Sequence, residues 1–78
     1  MERCIPLGAL RPGEGAAVRR LTAEGPIRRR FLDLGLVEGA AVACVGRSPL
    51  GDPAAYLVGG AVIAIRRRDA AGVLVCPR

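Results

Sequence analysis

The side chains that could carry chemistry in this chain are few and one-sided. Twelve cations, all arginine, stand against seven acids, and there is no histidine. Ser48, Thr22 and Tyr56 are the only residues of their kinds. A nucleophile needs a base beside it, and none of the three has one nearby in sequence. Cys4, Cys44 and Cys76 are widely separated, whereas thiolate metal sites usually use close pairs. A shared site would need all three side chains to converge, so we expect no metal site. The odd, scattered count also argues against a disulfide framework and for a reducing compartment. No Gly-rich phosphate cradle with its lysine and hydroxyl is present. The inventory therefore excludes common forms of catalysis: we expect no enzyme, no cofactor and no small-molecule substrate.

What remains is charge. The net charge is +5, and the arginines include two triplets, Arg28-Arg29-Arg30 and Arg66-Arg67-Arg68. Arginine without lysine, beside so much Ala, Gly and Pro, is also what a biased genome composition produces. Read functionally, the excess attracts an acidic partner: a protein face, nucleic acid or an anionic leaflet. Single-stranded nucleic acid needs aromatic stacking platforms, and Phe31 and Tyr56 are the only aromatics. An aromatic-lined peptide groove is disfavoured for the same reason.

The elements that must position these charges are short. At 78 residues the chain buries only about 60% of its unfolded surface, and its 21 Val, Leu and Ile residues suffice for one core. We expect a single domain over residues 1–78. The longest uncharged run, Pro53 to Ile65, falls short of the ~20 residues that a membrane span needs. Glu2, Arg3 and Pro6 interrupt any secretory signal, which points to a cytoplasmic protein.

The central stretch is a helix from about Pro26 to Leu34. Pro26 suits the first helical position, and Gly25 or Thr22 could cap the entry. Gly35 suits the residue past the end, with Leu36 folding back onto Phe31. Ile27, Phe31 and Leu34 follow helical spacing and face the core. Arg28, Arg29 and Asp33 project elsewhere, and Arg30 sits at the boundary, where it could pair with Asp33 or snorkel over the core.

Around the helix the chain reads as strands. Residues 1–11 form an extended arm carrying Ile5, Leu7 and Leu10, ended by the turn Arg11-Pro12-Gly13. Ala16–Leu21 is a strand with Val18 inward. Ala40–Arg47 is another, with Val42 and Cys44 on one face, and Cys44 reads as a small core residue. Cys76, at a strand end, reads the same way. Residues 48–53 carry two prolines and a glycine and form a structured loop. Asp52 bonds backbone amides in it, and Leu50 is displayed. Ala54–Val58 and Ala61–Ile65 form a hairpin across Gly59-Gly60. Residues 66–72 form a polar turn, at most one turn of helix stopped by Gly72, before a last strand, Val73–Cys76. About five strands with one short helix describe a mainly β fold, a small SH3-like partly open barrel.

Arg29-Arg-Phe-Leu-Asp-Leu-Gly-Leu36, followed at this interval by Ser48-Pro-Leu-Gly-Asp-Pro53, resembles the FeoA family, the small cytoplasmic partners of the FeoB ferrous iron transporter. Pro6-Leu7, Gly39, Ile63-Ala-Ile-Arg-Arg67 and Ala70, Val73 and Val75 extend the match along nearly the whole chain. Phe31 stands where the family usually carries an aliphatic residue. The resemblance implies an SH3-like barrel with no enzymatic activity. It implies an accessory role in ferrous iron uptake, binding and modulating the cytoplasmic part of a FeoB-type membrane GTPase, and no metal site carries across. The partner-binding residues expected are Arg28, Arg29, Arg30 and Asp33 on the helix and Pro49, Leu50, Gly51 and Asp52 on the loop. The protein would be peripheral to the membrane only through that partner. The alternative is a small basic barrel that binds nucleic acid.

Overall fold

Alternating inward residues and tight turns build one antiparallel sheet. The computed structural model describes residues 3–78; Met1 and Glu2, the start of the expected arm, lie outside the described residues. Six strands are present: β1 (Ile5–Pro6), β2 (Gly15–Leu21), β3 (Ala41–Arg47), β4 (Ala54–Val58), β5 (Ala61–Ile65) and β6 (Val73–Pro77). Their order across the sheet is β1-β6-β2-β3-β4-β5. A 3₁₀ turn (Leu7–Ala9), α1 (Pro26–Asp33) and α2 (Arg67–Ala70) complete the chain. Register shifts between Val18 and Arg20 and between Cys44 and Gly46 mark bulges, which bend a strand and increase its twist. The sheet stays open, with β1 and β5 as its two edges.

The expected five strands become six because Ile5 and Pro6 pair with Val75 and Leu74. Residues 67–70 form the one helical turn allowed for before Gly72, so a second, short helix joins the expected one. The hairpin runs as anticipated, and Gly59 and Gly60 both have positive φ, 58° and 83°. That pair of values defines the type I′ turn that matches strand twist, and glycine reaches it without steric cost.

The core is filled by Leu7 and Leu10 from the arm, Val18 from β2, Val42 and Cys44 from β3, Tyr56 and Val58 from β4, and Val73 and Val75 from β6. Phe31 and Leu36 close it from the helix side. Both aromatics are thus interior. Burial raises the Tyr56 phenol above its ordinary pKa of 10.0, with the neighbouring Cys44 adding to the shift.

Cys44 is the buried core residue expected of it. Cys4 and Cys76 correct the sequence reading: they are joined as a disulfide, with Cα atoms 4.3 Å apart. The pairing of Ile5 with Val75 puts these two residues opposite each other on neighbouring strands. Register between segments 72 residues apart is invisible to local spacing. The bond also removes the argument from unpaired thiols to a reducing compartment.

Candidate partner-binding surface

Helix α1 is fixed at both ends by backbone. Gly25, with φ 71°, occupies the entry and makes no side-chain cap, and Pro26 follows at the start. Thr22 does not cap the helix; its N–H donates to the Gly72 carbonyl at 2.8 Å instead. At the exit, the Leu36 N–H donates to Phe31 O and the Gly35 N–H to Leu32 O, both at 3.0 Å. These are the two bonds of a Schellman cap, which needs the left-handed backbone that Gly35 supplies at φ 98°.

With one face thus anchored, the other is set. Arg28, Arg29, Arg30 and Asp33 are exposed, but they do not act as one patch. Arg28 donates to the Leu21 carbonyl at 3.1 Å, tying the helix to the end of β2. Arg28, Arg29 and Asp33 border a shallow depression with Gly25 and Leu32. Arg30 points away from that depression, into a cleft of about 150 Å³ between α1 and the end of β5. Ile27, Phe31 and Leu34 line it from the helix, Ala64 and Ile65 from the strand, Arg66 from the start of α2 and Asp69 from within it. The fold therefore brings one arginine of each triplet, Arg30 and Arg66, to the lining of one cleft. Spacing in the sequence shows two cationic runs; it does not show that they meet.

The 48–53 loop is held rigidly. Ser48 N–H donates to Pro53 O at 3.0 Å, and Gly51 N–H to Ser48 O at 2.8 Å. The Asp52 carboxylate accepts the Arg67 N–H at 2.9 Å, the amide bonding expected of it, though with a partner fifteen residues away. Leu50 is 94% exposed on top of this frame. The space behind the loop, lined by Arg47, Asp52, Tyr56 and Arg67 among others, measures about 10 Å³, which is room for a water molecule and no more. Arg47 turns back to the arm, donating to Leu10 O at 2.6 Å and Gly8 O at 3.3 Å. Among the described residues, Arg28 and Arg47 are the arginines whose guanidiniums hydrogen-bond the protein itself. Arg30 and the second triplet keep their donors for solvent or a partner. The helix residues and the loop residues do not share a cleft; α2 separates them, holding Asp52 at its start and facing α1 with Asp69.

No three His, Cys, Asp or Glu side chains gather as a metal-binding group among the described residues, and no helix is long and apolar enough to cross a membrane. The Ser48 hydroxyl is enclosed and has no hydrogen-bond partner among the described residues.

The sequence profile of the FeoA domain matches residues 5–77. The chain belongs to the FeoA domain family. It is 35% identical over 69 residues to an Fe(2+) transport protein A/Fe(2+) transporter FeoB fusion protein of Porphyromonas gingivalis. That alignment spans 88% of this chain but only 8% of the fusion protein. The solution structure of a FeoA protein from Chlorobium tepidum superposes with a TM-score of 0.87 at 38% identity, covering 94% of this chain and 70% of that one. The Stenotrophomonas maltophilia FeoA, solved with zinc and described as a prokaryotic SH3 domain protein, superposes with a TM-score of 0.82 at 32% identity. There the coverage is 91% of this chain and 88% of that one. The SH3-like class read from strand count is the class named for the S. maltophilia relative.

Proposed function

We propose that this protein is a non-enzymatic accessory of ferrous iron uptake that binds and modulates the cytoplasmic part of a FeoB-type transporter. The observation that carries the reading is the fusion relative, in which a FeoA segment like this chain is covalently joined to the transporter. A domain joined to another by a linker commonly contacts it, because tethering raises the effective concentration without new contacts. The S. maltophilia relative is itself described as a candidate activating factor of ferrous iron transport.

The contact we assign comprises Arg28, Arg29, Arg30 and Asp33 on α1 and Pro49, Leu50, Gly51 and Asp52 on the loop. A rigid loop that displays a nearly fully exposed leucine loses little freedom on docking, so its apolar burial counts toward affinity. The arginines steer an acidic partner, and their effect is screened beyond about 8–10 Å at cell ionic strength. In this reading the chain is one cytoplasmic domain, with no cofactor of its own.

The test is co-purification with the cytoplasmic domain of its transporter. The parent chain should be retained at low salt. Leu50→Asp and a triple Arg28, Arg29 and Arg30 to Glu variant, each checked by circular dichroism for the parent's fold, should be lost. If the parent is not retained and instead holds duplex or single-stranded DNA at physiological salt with a steep salt slope, the nucleic-acid alternative replaces this one.

A further inference from the structure

The geometry points to the free edge of β5 as a binding site for an extended, acidic segment of a protein partner, which would add to the sheet as a further strand beside α1. In a two-residue hairpin the residues flanking the turn exchange both hydrogen bonds, and antiparallel pairs then alternate between bonded and non-bonded. Val58 and Ala61 flank Gly59-Gly60, so Tyr56–Ile63 and Ala54–Ile65 are the further bonded pairs. The N–H and C=O groups of Val62 and Ala64 therefore point away from β4, off the end of the sheet. Among the described residues, no backbone hydrogen bond outside the strand ladder reaches either residue.

Open edges in soluble proteins are usually blunted by charge, proline or brevity. This one has none of these: Ala61-Val-Ile-Ala-Ile65 is five uncharged residues, and Val62 is 62% exposed. The cleft beside it is built like other grooves in which a strand edge and a helix receive an extended peptide, with main-chain bonds for affinity and a pocket for alternate side chains. Phe31 and Ile65 form its floor, and Arg30 and Arg66 stand at its walls. Asp69 is the one acid there, so two guanidiniums outnumber it and favour a partner carrying carboxylates. A second copy of this chain is disfavoured as the occupant, because it would bring another +5 net charge to a face that is already cationic.

The proposal deepens the reading of the protein as a partner-binding module, but its test does not depend on which partner that is. The probe is a blocked seven-residue peptide alternating glutamate and valine, compared with the same peptide N-methylated at every backbone amide. The unmethylated peptide should bind and slow amide hydrogen exchange at Val62 and Ala64, while the methylated one should not bind. Ala64→Pro removes one outward N–H on an edge where proline is tolerated, and should weaken binding about five- to tenfold. Arg66→Glu, at an exposed side chain, should weaken it as well and flatten its salt dependence. Equal binding of the methylated peptide, unchanged exchange at Val62 and Ala64, or a β5-mediated dimer of the free protein would overturn the proposal. The same Ala64→Pro chain, mixed with the transporter domain, separates the two readings. A domain that binds regardless of Ala64 leaves the functional reading standing without this edge. A domain that fails to bind while the peptide pairs with β5 does the reverse.

Discussion

At one end of the sheet β1 offers two residues, one of them Pro6, and the neighbouring Cys4 is bonded to Cys76 of β6. At the other end β5 offers five residues with no charge and no proline. The first edge shows the usual devices against adventitious pairing, brevity and proline, with a covalent staple added. The second shows none. Where one edge of a small sheet is sealed and the other is left open beside a cationic cleft, the open one is where a partner's strand can be received. The closed edge serves stability: the arm behind it delivers Leu7 and Leu10, both completely buried, to a core that is small to begin with.

This contrast can be broken experimentally, starting at the closed edge. The Cys4–Cys76 bond spans 72 residues, and cross-links of that reach stabilise by about 2–4 kcal/mol through the unfolded chain. Replacing both cysteines by serine should lower the melting temperature by roughly 10–25 °C, followed by circular dichroism, while leaving amide exchange at β5 unchanged. Leu10→Ala, which empties a fully enclosed position under the arm, should cost about 2–4 kcal/mol in urea unfolding. A loss below about 0.5 kcal/mol, the range of ordinary surface changes, would mean that the arm is not part of the core.

A smaller effect is expected at Tyr56, which pairs with Ile63 of β5. Its phenol is raised in the folded state, first by burial, so the unfolded chain releases its proton at lower pH than the folded one. Stability should therefore be full below the ordinary value of 10.0 and fall as pH rises through it. Tyr56→Phe should remove that part of the alkaline slope in chemical denaturation at pH 9 to 11. The smallest effect on stability belongs to the open edge. Val62→Lys should change unfolding free energy by less than about 0.5 kcal/mol and yet reduce peptide binding there, because an edge lysine is a common guard against strand addition.

Much of this was legible in the chain itself, wherever the rule is local. Pro26 and Gly35 mark the ends of α1 because each satisfies a backbone demand within one turn. Gly59-Gly60 marks the hairpin for the same reason, and Val18, Val42 and Cys44 face inward by alternation. What could not be read depends on register between distant segments. The pairing of Ile5 with Val75 creates both β1 and the disulfide. The bond from Arg67 to Asp52 locks the loop against α2. The cleft that gathers Arg30 and Arg66 exists only once α1 lies beside β5. The residues named from sequence as a contact, Arg28 to Arg30, Asp33 and Pro49 to Asp52, are exposed apart from the half-buried Gly51. The structure divides them between separate faces and adds Arg66 and the β5 edge to the candidates.

The most direct test is residue-resolved hydrogen exchange on the protein alone and in complex with the cytoplasmic domain of the FeoB-type transporter proposed as its partner. A complex in which the Val62 and Ala64 amides pass from fast to slow exchange is what this account predicts. A stable complex that leaves both amides as open as in the free protein would contradict it.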